Sequence, residues 1–204
     1  MSIIPQGSLP SLSSLERPSL RGFTAVVWTI PLSGTPGRWT QASFHQLLRQ
    51  RLLEIGIAHE IWCPAYCILP DQLQFLWMGA CEASNQCAAI KFLRAELLPA
   101  LGSDRRWLFQ WVSSGPTEFD PEPESIPLAA EALMQAPIQA ALVDQSNRWP
   151  YSGCVIPRHS QLAAARPDYW SKFWRFYWNH RTRPTSATHR MFSLVSQFIH
   201  GSNG

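Results

Sequence analysis

The chain has 204 residues, 46% of them hydrophobic and 15% charged, with a formal net charge of +3. This is enough chain to bury one core of ordinary size, and no apolar run approaches the roughly 20 residues of a membrane-spanning helix. The N-terminus has neither the basic start nor the continuous apolar stretch of a secretory signal, so a cytoplasmic protein with no membrane partner is expected.

In chain order, residues 1–20 are rich in Ser, Pro and Leu and read as a flexible lead-in. Phe23 to Ile30 is β-branched and aromatic and predicts a first strand. Residues 31–38 hold the prolines and glycines of a loop. Thr40 reads as the N-cap of a helix whose stripe is Phe44, Leu47, Leu48, Leu52 and Ile55, with Gly56 as its stop. Ile57 to Leu69 resumes strand character, and Pro64 inside it predicts a bulge.

A hairpin follows. Tyr66-Cys67-Ile68-Leu69 and Leu73 to Trp77 are joined by Pro70-Asp71, a turn sequence. Strand alternation puts the amides of Gln72 and Gln74 on one side and Leu73 on the other. Ser84 reads as the cap of a second helix with Cys87, Ile90, Leu93, Leu97 and Leu98 on its apolar side and Lys91 and Arg94 on its polar side. Arg105 and Arg106 precede Trp107 to Val112, a fourth strand candidate. Residues 113–127 read as an acidic solvated loop, and a helix over about 128–142 is interrupted at Pro137.

After Cys154 the chain turns basic. Trp170, Phe173, Trp174 and Tyr177 form a helical stripe with Lys172, Arg175 and Asn179 off it. Such interleaving of rings and cations suits base stacking and phosphate pairing; it equally suits a helix that docks its rings on the body. A last, weakly helical piece covers about 188–199.

The order strand, helix, strand, strand, helix, strand predicts an α+β fold of ferredoxin-like split βαβ type, an antiparallel sheet with helices on one face, plus a C-terminal helical tail. The expected division is a lead-in at 1–20, a main domain at 21–153 and a basic aromatic extension at 154–204. The five cysteines contain no C-x-x-C pair and read as reduced buried thiols, although Cys63 and Cys67 could share one strand face. Histidines occur singly, with no H-x-H or H-x-x-x-H pair, so no imidazole-based metal site is expected.

Two stretches carry a family resemblance. Ala65 to Met78, AYCILPDQLQFLWM, resembles the signature hairpin of single-tyrosine HUH transposases, above all the REP-associated tyrosine transposases, which read roughly A-Y-V-V-M-P-N-H-V-H-L-L. Ala136 to Val143, APIQAALV, followed by Trp149-Pro150-Tyr151-Ser152, resembles their N-P-V-R-A-G-L-V and W-P-W-S-S. The resemblance covers about Leu20 to Ser152 and implies the same ferredoxin-like fold.

It also implies a chemistry. In the family two histidines on one strand face hold Mg²⁺ or Mn²⁺, which polarises a phosphate, and a helix-borne tyrosine attacks single-stranded DNA. Here the histidine positions hold Gln72 and Gln74, and counting back from Pro137 puts Ala132 at the tyrosine position. Two neutral amides bind transition metals far more weakly than two imidazoles, and alanine cannot attack a phosphate.

The resemblance therefore implies a DNA-binding relative, inactive in cleavage and without a resident cofactor. Its partner would be single-stranded or hairpin DNA, and it would be a homodimer as is usual in the family. Lys91, Arg94, Arg105, Arg106, Lys172 and Arg175 are the DNA-binding candidates. Two rivals remain open at this point. One is a scaffold or protein-interaction module that kept only the fold. The other is a divergent active nuclease using Gln72 and Gln74 as weak ligands and Tyr169 or Tyr177 as nucleophile.

Overall fold

The computed structural model describes residues 20–31, 39–101, 117–119 and 122–182. The strand expected at 107–112, Arg105, Arg106, the loop at 32–38, residues 1–19 and the tail beyond 182 lie outside the described residues.

β1 (Ala25–Pro31), β2 (Ile61–Ile68), β3 (Gln72–Gly79), β4 (Thr117–Phe119) and β5 (Ser152–Val155) form one sheet in the order β4-β1-β3-β2-β5. All pairings are antiparallel. The first four strands thus have the ferredoxin-like arrangement that the element order predicts. Two strands depart from the expectation. β4 lies inside the stretch read as an acidic loop. β5 adds to the free edge of β2, and its composition, Ser-Gly-Cys-Val, carries little strand signal of its own.

The helices are α1 (Ala42–Ala58), α2 (Gln86–Leu101), α3 (Ser125–Gln139) and α4 (Tyr169–Arg181). α1 and α2 cover one face, where Val26, Trp28, Ile30, Tyr66, Ile68, Leu73, Phe75 and Trp77 meet Phe44, Leu48, Leu52, Ile55, Ile90 and Leu93. α3 and α4 cover the other, where Ala25, Trp62, Ala65, Leu76 and Met78 meet Ile126, Ala130, Tyr169, Phe173 and Tyr177. The expectation of helices on one face therefore holds for α1 and α2 only. The tail helix fills the second face because its rings repeat every four residues and find Trp62 beneath them, edge-on to Phe173 and Tyr177 at 5.7 and 5.6 Å. Leu20, placed by sequence in the lead-in, is fully buried in the first core.

Several caps differ from the sequence reading. Gln41, not Thr40, stands at the N-cap of α1, without a side-chain cap bond. Gly56 does not stop α1 but lies within it. A Cβ there would sit 2.5 Å from Pro157 Cγ and 2.8 Å from the Ile61 carbonyl, so the missing side chain admits the segment that follows β5. Asn85, not Ser84, caps α2, its Oδ1 accepting from Ala88 N at 3.0 Å. Ser84 Oγ instead donates to the Glu60 carbonyl at 2.6 Å and accepts from Ala80 N at 3.0 Å.

α3 starts and ends three residues before the expected 128–142, with Pro137 tolerated in its last turn. It closes in a Schellman motif. Leu142 N donates to the Pro137 carbonyl and Ala141 N to the Ile138 carbonyl, both at 2.9 Å. Ala141 takes φ +53°, the left-handed conformation in which the motif favours glycine, and the family pattern has glycine there.

The predicted bulge at Pro64 is present. The register of β2 shifts between Trp62 and Ala65 against β3, and between Cys63 and Tyr66 against β5. The extra residue sends Cys63 to the α1–α2 face and Cys67 to the opposite face, so the two thiols do not share a side. All five cysteines are free thiols. Among the described residues no helix is long and apolar enough to cross a membrane.

Candidate nucleic-acid interface

The two stretches that carry the family motifs meet in space. Trp149 Nε1 donates to the Ile68 carbonyl at 2.9 Å, and Ile68 N donates to the Tyr151 carbonyl at 2.9 Å. Ala136 of α3 and Trp149 close over Cys67 and Leu69. The motif positions thus join the hairpin, the end of α3 and the entry to β5, a structural task that needs no catalytic residue.

Gln72 and Gln74 lie on the face of β3 that α3 and α4 share, with Leu73 and Phe75 buried on the other. Gln74 stands opposite Thr29 of β1 and Cys67 of β2, so all three project to the same face. Gln72, Gln74 and Thr29 are half-buried. Burial pushes the Cys67 thiol up to about 12, with a contact from the Trp149 indole opposing, so it remains a neutral thiol at physiological pH. Thr29 is the member that sequence reading missed. Its place follows from the β1–β3 register, which local periodicity does not specify.

Ala132 is exposed on α3, beside the buried Leu133. The tyrosines all have other employment. Tyr169 Oη donates to the Pro64 carbonyl at 2.7 Å and Tyr177 Oη to the Gly79 carbonyl at 2.9 Å, both deep in the second core. Burial raises the Tyr169 hydroxyl well above its ordinary value and pushes Tyr177 up to about 12. A buried neutral phenol bonded to a backbone carbonyl is a poor nucleophile. Tyr151 packs on the α1–α2 face, away from the glutamines.

Tyr66 lies on that same face. Its hydroxyl accepts from Arg49 Nη1 at 2.8 Å and lies 2.7 Å from His45 Nε2. The Arg49 charge beside it disfavours a protonated His45. Its lowered pKa, from burial first and the Arg49 charge second, agrees. His45 is therefore a structural histidine bridging α1 to β2.

No protein-family signature matches the chain, and no curated protein matches it in sequence. A solved structure does match in shape. It is a REP-associated tyrosine transposase bound to a REP hairpin, with a TM-score of 0.54 over 67% of this chain and 79% of that one, at 16% identity. The fold resembles that of a REP-associated tyrosine transposase.

The metal that the sequence resemblance implies would fall to Gln72 and Gln74. The residues present do not suit it. Two amide oxygens are neutral donors, the adjoining Cys67 holds its proton, and no group of three or more His, Cys, Asp or Glu side chains gathers among the described residues. The candidate cations are divided. Lys91 and Arg94 ride on α2 over one face of the sheet, and Lys172 and Arg175 on α4 over the other. Lys172 pairs with Asp168 at 2.6 Å, and Arg175 lies 5.1 Å from the Phe176 ring centre. The hydrogen bond from Lys172 is the main cause holding the Asp168 carboxyl below its usual range. The four described candidates therefore do not converge on one patch; Arg105 and Arg106 lie outside the described residues.

Proposed function

We propose that this protein binds DNA with a transposase-like fold and does not cleave it by the metal-and-tyrosine route of that family. The observation that carries the reading is the match in fold to a hairpin-bound transposase, combined with amides at Gln72 and Gln74 and a methyl group at Ala132. The engagement of Tyr169 and Tyr177 with backbone carbonyls supports it against a relocated nucleophile. Single-stranded or hairpin DNA is the proposed partner. A homodimer is the proposed assembly, and light scattering of the purified chain tests it.

The test offers the purified chain hairpin, single-stranded and duplex DNAs with Mg²⁺ or Mn²⁺. The expected result is retention of hairpin or single-stranded DNA with no covalent adduct on denaturing gels. Adducts overturn the claim of inactivity; equal, salt-labile retention of every DNA overturns the claim of a specific partner.

A second reading is an interaction module that kept only the fold. It is favoured by the division of the cations between two sides and by the packing of the α4 rings into the core. Exchanging Trp178, which is 38% exposed on α4, for alanine separates the two. Lost self-association with DNA retention intact favours the module.

A further inference from the structure

We infer that the row Thr29, Gln74 and Gln72 is a reading site for an unpaired nucleobase, adenine above the others. The inference rests on the DNA-binding function proposed above and assigns the group recognised.

Four observations converge. Gln74 and Thr29 are direct cross-strand partners, and Gln72 lies two residues along the same strand face, so three polar side chains form one continuous row. Among the described residues none of the three side chains makes a hydrogen bond, although all are half-buried. The row is framed by apolar neighbours, with Leu76 next on the same face of β3, Cys67 across from Gln74, and Ala136 of α3 packed against Cys67. Finally, β1, β3 and α3 contain no lysine or arginine, and Glu131 is the single charge on them.

These properties select the ligand. A phosphate needs cations or a cluster of donors, and β1, β3 and α3, the elements that carry and flank the row, offer no cation; those of α4 lie on a different helix. A metal needs anionic or imidazole donors, and this face offers amides. A carboxamide supplies a donor and an acceptor side by side, the pattern that matches adenine N7 and the N6 amino group in a bidentate pair. The apolar frame gives the base something to lie against. Thr29, a donor and an acceptor, is the direct cross-strand partner of Gln74 and adds a second polar group to the row. The loss of the two imidazoles thus leaves a site of a different chemistry.

The test uses the full chain with short single strands that differ only in base: oligo-dA, oligo-dC and oligo-dT. The wild type is expected to hold oligo-dA about tenfold or more tighter than oligo-dT. Gln74→Ala should abolish that preference while leaving oligo-dT binding unchanged. Gln74→Glu, nearly the same shape, turns the amide into an acceptor that matches the cytosine N4 amino group, and should shift preference toward oligo-dC.

A third measurement needs no variant: side-chain amide resonances of Gln72 and Gln74 should move on titration with oligo-dA. Retention of the dA preference in Gln74→Ala, or no base preference in the wild type, overturns the site while DNA binding stands. Still amide resonances at saturating oligo-dA overturn it whether or not the variants fold. Failure of the wild type to bind any DNA removes the proposed function and this site with it.

Discussion

Tyr169 Oη donates a 2.7 Å hydrogen bond to the carbonyl of Pro64, the residue that makes the bulge in β2. Proline has no N–H to give the ladder, and the bulge leaves the extra residue unpaired, so the Pro64 carbonyl must be satisfied from elsewhere. The C-terminal helix supplies the donor. One bond thus ties the tail to the central hairpin and occupies a hydroxyl that a nuclease would need free.

Tyr169→Phe should therefore lower stability by about 1–3 kcal/mol, because it strands a buried carbonyl. It should leave DNA retention unchanged. Urea unfolding followed by tryptophan fluorescence, paired with a gel-shift titration, checks both. Stability unaltered by the change would show that the Pro64 carbonyl finds another partner.

Ala141→Gly should stabilise the fold by roughly 1 kcal/mol, since the left-handed φ of +53° strains any side chain while the Schellman bonds of α3 need only the backbone. The urea midpoint should rise with the slope of the transition unchanged. A fall would mean that the methyl group packs better than its strain costs.

The phenols and the buried thiol set the alkaline limit. Burial lifts Tyr66 and Tyr177 from 10 to about 12, and Cys67 from 9 to about 12. Their folded-state values lie above the unfolded ones, so the stability they add is fully present below the unfolded values and is lost as pH rises through about 12. Thermal midpoints should hold near neutrality and decline from about pH 9 upward. Tyr177→Phe should flatten the part of that decline above pH 10. On the acid side, the lowered pKa of His45 makes its contribution present above 6.5 and lost as pH falls below it.

Gln72→His with Gln74→His should create a site for Mn²⁺, Co²⁺ or Zn²⁺, because the two positions share one strand face. Saturable metal binding by calorimetry, absent in the wild type, is the expected result. The double variant should still form no covalent DNA adduct, since α3 carries no tyrosine. Absence of metal binding would show that the two side chains diverge.

Much of this was legible one residue after another. The Pro70-Asp71 turn, the alternation that puts Gln72 and Gln74 on one face, the stripes of α1, α2 and α4, the bulge at Pro64 and the missing tyrosine ahead of Pro137 are local patterns. Each depends on the period of one element or the chemistry of one turn. The caps were misplaced by one residue at Thr40 and Ser84, because neighbouring residues with suitable side chains compete and only the backbone path chooses between them.

What local pattern could not reach involves partners distant in sequence. β5 is a strand because the edge of β2 is free to accept it, not because Ser-Gly-Cys-Val favours one. α4 belongs to the second core because Trp62 and the Pro64 carbonyl wait there, more than a hundred residues earlier. Thr29 joins Gln74 through a register set across the whole β1–β3 ladder. Residue order thus states which side chains stand at positions 72 and 74 of the hairpin and which face they share. The neighbours that long-range pairing brings to Gln72 and Gln74 define the site there.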